Sequence, residues 1–204
     1  HTMIADRVTG LILAGGRGSR MGGQDKGLQP LRGMPLVMHV LWRLAPQVQD
    51  VVINANRNLG AYEGFGRTTV PDVSGDFQGP LAGMLAGFPY CETDWMMVVP
   101  CDVPDLPKDL VERLVMAAEA VDAVAAMPST TEADGRTQTH PVCLLLRGDL
   151  YEHLTAFMKD GGRKIDDWTK PLGALEVPFD NAKAFFNANT LADLKQLEIE
   201  AATK

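Results

Sequence analysis

Short apolar runs alternate with amphipathic stretches along most of the chain. Residues 9–13, 51–54, 68–70, 96–99, 123–127 and 142–146 are apolar runs of strand length, and residues 36–44, 81–88, 109–120 and 150–159 between them carry a helical period. This βαβα alternation predicts an α/β fold with a mostly parallel sheet and helices on both faces. Residues 177–187, with Pro178, are less regular and are expected to include a further strand. Residues 191–200 read as a terminal helix with Asn189 or Thr190 as its N-cap. Ligands of such sheets bind beyond the carboxyl ends of the strands, where the loop after the first strand, Asn54, Asp72 and Asp102 all fall.

Composition narrows the class. With 204 residues, 46% hydrophobic and 22% charged, the chain suits one domain with a substantial core. A formal net charge of −7 argues against a broad nucleic-acid surface. No apolar run approaches the roughly 20 residues that span a bilayer, and the start lacks the regions of a signal peptide, so a cytoplasmic protein without a membrane partner is expected. Cys91, Cys101 and Cys143 form no C-x-x-C or ligand-like spacing, which predicts neither a disulfide framework nor a zinc site. His1 and Thr2 precede Met3 and are left out of the fold reasoning.

Residues 11–26, LILAGGRGSRMGGQDK, run a strand straight into a loop with Gly15, Gly16, Gly18, Gly22 and Gly23 among the cations Arg17, Arg20 and Lys26. Glycines reach positive φ at little cost, so successive N–H groups can converge on an anion that the cations neutralise. A triphosphate is the expected guest, although a glycine-rich turn after a strand also reads as a plain tight connection. It is not a P-loop, because Lys26 lies between Asp25 and Gly27 with no Ser or Thr beside it. Nor is it a dinucleotide fingerprint, since Met21 stands where the third glycine belongs. The run MMVVPCD places Asp102 just past a strand, where one carboxylate suits Mg2+, a cation that draws its other ligands from water and substrate phosphates. A turn aspartate ahead of Pro104 is the plainer alternative.

Leu13-Ala14-Gly15-Gly16, Arg20-Met21-Gly22 and Asp25-Lys26-Gly27-Leu28 fit the nucleoside-triphosphate transferase signature with one extra glycine, Gly23. Val51-Val52-Ile53-Asn54-Ala55-Asn56-Arg57, Pro71-Asp72, Gly79-Pro80-Leu81-Ala82-Gly83-Met84, Pro100-Cys101-Asp102-Val103-Pro104, His140-Pro141 and Asn187-Ala188-Asn189-Thr190 follow in order. On these motifs nearly the whole chain resembles the MobA-type molybdenum cofactor guanylyltransferase family. The resemblance implies a single Rossmann-like nucleotidyltransferase domain over residues 3–204, with a nucleotide-binding part at about 8–105 and a pterin-binding, closing part at about 106–200. It implies transfer of GMP from GTP to the terminal phosphate of molybdopterin, with release of pyrophosphate.

The resemblance also implies roles. Asp102 is the magnesium ligand, and Arg20 and Lys26 join it as catalytic groups on the triphosphate; Arg17 is a less certain third cation. Leu13, Ala14, Gly15, Gly16, Asn54, Asp72, Pro80, Leu81 and Gly83 belong with Lys26 and Asp102 to the GTP site. Asp72 is the candidate reader of guanine, whose adjacent N1–H and N2–H donors suit one carboxylate. His140, Arg163, Lys164, Asn187 and Asn189 are candidates for the pterin side. A histidine before proline is commonly a satisfied turn residue, and Gly161 to Lys164 also read as a solvated turn after a helix. Transient contacts with molybdoenzymes, their chaperones and the molybdenum insertion enzyme are expected.

Neighbouring readings share the fold. Cytidylyltransferases and sugar-nucleotide pyrophosphorylases more often carry L-A-A-G, whereas Ala14-Gly15-Gly16 with Pro80-Leu81-Ala82-Gly83 matches the guanylyl type. A cobinamide-phosphate guanylyltransferase also carries A-G-G, but Asn54-Ala55-Asn56-Arg57 and Asn189-Thr190 favour molybdopterin. Intact Arg20, Lys26 and Asp102 argue against a non-catalytic nucleotide sensor.

Overall fold

Strand β1 (Val8–Leu13) sends Val8 and Ile12 into one core and Leu11 into another. A strand that buries both faces needs a layer of helices on each. A computed structural model, which describes residues 3–15, 20–21, 23–73 and 79–202, shows that arrangement. Helices α1 (Leu36–Leu44) and α4 (Leu110–Ala120) cover the first face. Helices α3 (Pro80–Gly87) and α5 (Tyr151–Lys159), with Trp168 of the short α6 (Ile165–Thr169), cover the second. A further short helix, α2 (Leu59–Glu63), follows strand β2 (Asp50–Asn54).

The other strands are β3 (Thr68–Val70), β4 (Trp95–Pro100), β5 (Ala125–Thr131), β6 (Thr137–Thr139), β7 (Leu144–Arg147) and β8 (Leu175–Pro178). Their order is β6-β5-β7-β4-β1-β2-β3, with β8 added beside β5. The block β3-β2-β1-β4 is wholly parallel, and β8 is parallel to β5. Strand β7 is antiparallel to both its neighbours, and β6 is antiparallel to β5. The sheet is thus mostly parallel but mixed on one side. Strand β5 turns back at once through β6 into β7, a connection without the helix that a parallel crossover needs.

The expected strand at 177–187 is corrected in extent and place. Strand β8 ends at Pro178, which has no N–H to extend a ladder, and residues Ala182–Phe185 form a 3-10 turn instead. Strand β8 joins the main sheet, parallel to β5. The last helix is α7 (Leu191–Ala202). Leu194 and Leu197 of α7 share a third small core with Met21, Leu31, Leu36 and Ala188. Helix α7 begins as expected, with Thr190 Oγ1 accepting from the Asp193 N–H at 3.0 Å and Asp193 Oδ2 accepting from the Thr190 N–H at 3.1 Å. This reciprocal cap holds residues 187–189 over the strand ends.

Candidate active site

The parallel block delivers one polar group after another at its carboxyl edge. Asn54, the last residue of β2, donates from Nδ2 to Asp72 Oδ1 at 2.9 Å and to Val70 O at 3.1 Å. Asn56 Nδ2 donates to Asp72 Oδ2 at 3.1 Å and to Gly15 O at 2.7 Å, while its Oδ1 accepts from the Asp72 N–H at 2.8 Å. Each Asp72 oxygen is thereby fixed by one amide and keeps lone-pair capacity for a ligand. Asn56, named only within a motif, is the link that ties the glycine loop to Asp72. Leu13 O accepts from Cys101 N–H at 3.0 Å and Ala14 N–H donates to Asn54 O at 2.8 Å, so these two backbone groups are spent on strand ends. Gly83 is explained by packing, because a Cβ there would lie 2.5 Å from Asn54 Oδ1 and 2.6 Å from Leu13 Cδ2. Leu81 buries its side chain in the second core, and Pro80 opens α3 at the surface. Gly16 and Arg17 lie outside the described residues, as does the side chain of Arg20, whose backbone pairs with Asp25.

Lys26 and Asp102 meet in the buried floor of this edge, each 6% exposed, with Lys26 Nζ 3.0 Å from Asp102 Oδ2. Two amides from the far end of the chain complete the cluster. Asn187 Nδ2 donates to Asp102 Oδ1 at 3.1 Å, Asn189 Oδ1 accepts from Lys26 Nζ at 3.2 Å, and the Ala188 N–H donates to Asp102 O at 2.8 Å. Asn187 and Asn189, expected on the pterin side, therefore also position the lysine–aspartate pair.

Asp25, next to Lys26, is 7% exposed and accepts from Tyr62 Oη at 2.7 Å and Asn58 Nδ2 at 3.1 Å. The fully buried Tyr62 occupies the space that a Cβ on Gly27 would enter, its Oη 2.5 Å away. One phenol thus fixes the residues on both sides of Lys26. Burial and Asp25 both push the Tyr62 hydroxyl upward in pKa, so it stays a donor. The sequence reading missed Tyr62 and Asn58; the signal was a tyrosine in a short segment after Asn54-Ala55-Asn56. Cys101, beside Asp102, is kept protonated chiefly by burial and further by the Asp102 charge.

A cavity of about 530 Å3 adjoins the cluster, with Asn187, Asn189 and His140 in its wall. His140 stacks on Phe185 at 4.7 Å and shares a 2.8 Å hydrogen bond with Thr130 Oγ1. Burial lowers its pKa, against an opposing pull from Glu132. Arg163 and Lys164 do not border this cavity. They lie in the turn between α5 and α6, where Arg163 Nη1 donates to Met158 O at 2.8 Å and to Gly162 O at 2.6 Å. Those bonds satisfy carbonyls at the end of α5, as a basic residue after a helix commonly does.

A carboxylate held by two asparagines and a buried lysine–aspartate pair, along the carboxyl edge of a mostly parallel sheet, suit an α/β nucleotidyltransferase domain. The chain belongs to the MobA-like NTP transferase domain family, whose pattern matches residues 10–174. It is 57% identical over 195 residues to a molybdenum cofactor guanylyltransferase of Cupriavidus metallidurans, covering 96% of each chain. A relative of that name from Ralstonia nicotianae is 54% identical over 194 residues, covering 93% of this chain and 95% of its own. Among solved structures, molybdopterin-guanine dinucleotide biosynthesis protein A from Archaeoglobus fulgidus superposes with a TM-score of 0.75 at 24% identity, covering 96% of this chain and 100% of that one. CMP:2-keto-3-deoxy-manno-octonic acid synthetase, complexed with CTP, superposes with a TM-score of 0.77 at 16% identity, covering 97% and 99%. These two likenesses concern the fold alone.

Proposed function

We propose that the protein is a molybdenum cofactor guanylyltransferase, transferring GMP from GTP to the terminal phosphate of molybdopterin. The observation that carries this reading is the buried Lys26–Asp102 pair at the strand ends of a chain 57% identical to an enzyme of that name. A phosphate oxygen of the acceptor forms a bond to the α-phosphorus of GTP, and the bond from that phosphorus to the β-phosphate bridge oxygen breaks, releasing pyrophosphate. No general base is needed, because a phosphate monoester with a second pKa of about 6 is already largely dianionic. The obstacle is bringing anions together.

This chain's residues meet that obstacle by position and charge. Lys26, bonded to Asp102 and Asn189 and flanked by Asp25 and Gly27, which Tyr62 packs against, stands where it can neutralise phosphate oxygens. Asp72, fixed by Asn54 and Asn56, takes the adjacent N–H donors of guanine. Leu13, Ala14, Gly15, Gly16, Pro80, Leu81 and Gly83 shape the nucleotide side, with Arg20 as a further cation. His140, Asn187 and Asn189 serve the acceptor side; Arg163 and Lys164 fit that role less well, lying away from the cavity with Arg163 bonded to Met158 O and Gly162 O. Asp102 fits Mg2+ as a hard carboxylate donor in a site where substrate phosphates supply the remaining oxygens. Bound there, the cation would supply Lewis-acid screening of the phosphate oxygens.

Among the described residues no helix is long and apolar enough to cross a membrane. A cytoplasmic setting, with product passing to molybdoenzymes or their chaperones, agrees with a GTP substrate and free thiols. The test is magnesium-dependent transfer to molybdenum-loaded molybdopterin with GTP and CTP offered in parallel. GMP transfer alone is expected. CMP transfer would overturn the account of base choice, and no transfer with either would point to a nucleotide sensor.

A further inference from the structure

The cavity beside the catalytic pair has a polarity that the nucleotide half of the reaction does not use. Its inner wall is formed by Asn187 and Asn189, whose amides bond to Asp102 and Lys26. Phe185, carrying His140 on its face, and the 41% exposed Phe186 make an apolar wall. Elsewhere the lining is acidic, with Asp105, Glu132, Asp193 and Glu200 against the ammonium of Lys183.

Three of those carboxylates have structural partners. Asp193 caps α7. Asp105 lies 3.8 Å from Arg32 and 4.0 Å from Arg43. Glu200 accepts from Gln196 Nε2 at 3.3 Å. Glu132 differs. It is half-buried, and Thr130 Oγ1 donates to its Oε1 at 3.3 Å, which leaves a second oxygen and further lone pairs for a ligand. A hydroxyl has one hydrogen, so with that hydrogen on Glu132 the bond between Thr130 and His140 Nε2 has histidine as donor. His140 and Thr130 thus aim the Glu132 carboxylate.

We propose that Glu132 reads the amino–oxo edge of the pterin, and that the cavity's polarity sets the acceptor's direction. This rests on the guanylyltransferase reading. The acceptor has a dianionic phosphate at one end and, at the other, an uncharged ring whose 2-amino-4-oxo edge presents adjacent N–H donors. Glu132, Asp193 and Glu200 outnumber the Lys183 ammonium there and Asp105 is paired with arginines, so the phosphate lies inward at Lys26, while a carboxylate takes the two donors side by side. His140 is then a positioning residue acting through Thr130, not itself a pterin ligand.

Glu132→Gln tests this by placing an amide where the acceptor of two bonds stood. In steady-state guanylyl transfer, KM for molybdopterin is expected to rise about tenfold or more, as for loss of hydrogen bonds to a charged group. KM for GTP and kcat at saturating acceptor are expected to stay at the parent values. Phosphate-free tetrahydropterin, titrated without GTP and followed by fluorescence, is expected to bind the variant more weakly by a similar factor. An unchanged acceptor KM, or both KM values moving together, overturns the proposal. Should the amide variant fail to fold, Glu132→Asp keeps the charge on a shorter arm; a smaller rise in the same KM supports the proposal and a parent value overturns it. The two readings fail separately. A parent that transfers GMP but is indifferent at Glu132 loses this inference alone, whereas a parent that binds tetrahydropterin through Glu132 without making dinucleotide loses the guanylyltransferase reading alone.

Discussion

The two sides of the sheet build their shares of the site by different means. In the parallel block β3-β2-β1-β4 the ladder itself brings chemistry together, because every strand ends at the same edge, β2 with Asn54 itself and β3 and β4 two residues before Asp72 and Asp102. On the other side the strands run both ways, and most of the wall of the cavity beside Asn187 and Asn189 comes from the β6 hairpin, residues 182–189 and α7. That side is latched by tertiary contacts: Asn187 to Asp102, Asn189 to Lys26, and the small core under α7. Backbone register brings Asn54, Asp72 and Asp102 to one edge; side-chain contacts hold residues 187–189 against it.

Asp102 belongs to both sides, so its loss should be the largest effect. Asp102→Asn is expected to lower turnover by about 10³-fold or more while the fold is kept, measured by guanylyl transfer and circular dichroism. Asp102→Ala is the poorer test, since it leaves a buried ammonium uncompensated at a cost of about 3–5 kcal/mol. Activity near the parent's in the Asn variant would show that the two sides do not meet at this carboxylate. Lys26→Ala should lower kcat/KM for GTP about 10²-fold, and parent kinetics would make it a merely structural partner of Asp102.

Asp72→Asn separates the sides, with the preference for GTP over CTP expected to fall by about tenfold and KM for the acceptor unmoved. Tyr62→Phe removes one donor from buried Asp25. Thermal denaturation should show a loss of about 1–3 kcal/mol, together with a several-fold weaker use of GTP and an unchanged acceptor KM. The smallest effect is on pH dependence. Because burial holds the folded pKa of His140 below its ordinary 6.5, the unfolded chain takes up that proton first. Its contribution to stability is therefore lost as pH falls through that region. His140→Gln should reduce the drop in melting temperature between neutral and mildly acidic buffer; an unchanged drop would assign the acid sensitivity elsewhere.

The parallel side was legible because its signal is local. An apolar run followed by a polar strand-end residue names both the strand and the group it delivers, and Asn54, Asp72 and Asp102 stand where that rule puts them. The mixed side was less so, since an apolar run carries no direction, and residues 142–146 read alike for a parallel or an antiparallel strand. One clue was present: Asp134-Gly135 is a hairpin dipeptide, and Gly135 has φ +85° between β5 and β6. Arg163 and Lys164 were ambiguous because a basic pair after two glycines fits a helix end as well as a phosphate cradle, and the contacts of Arg163 with Met158 O and Gly162 O appear only in three dimensions. Tyr62 and Glu132 were silent because their partners, Asp25 and the cavity wall, are distant in sequence or defined only in three dimensions.

The asparagine latch also bears on the order in which the protein matures on the ribosome. Asn187 is 85 positions beyond Asp102, and Asn189 is 163 positions beyond Lys26. A nascent chain can therefore zip up β1 to β4 well before either amide has been synthesised. Until residues 187–189 emerge and α7 docks, the lysine and aspartate lack the amides that fix them, so the pair is set only after the parallel block that carries it has formed.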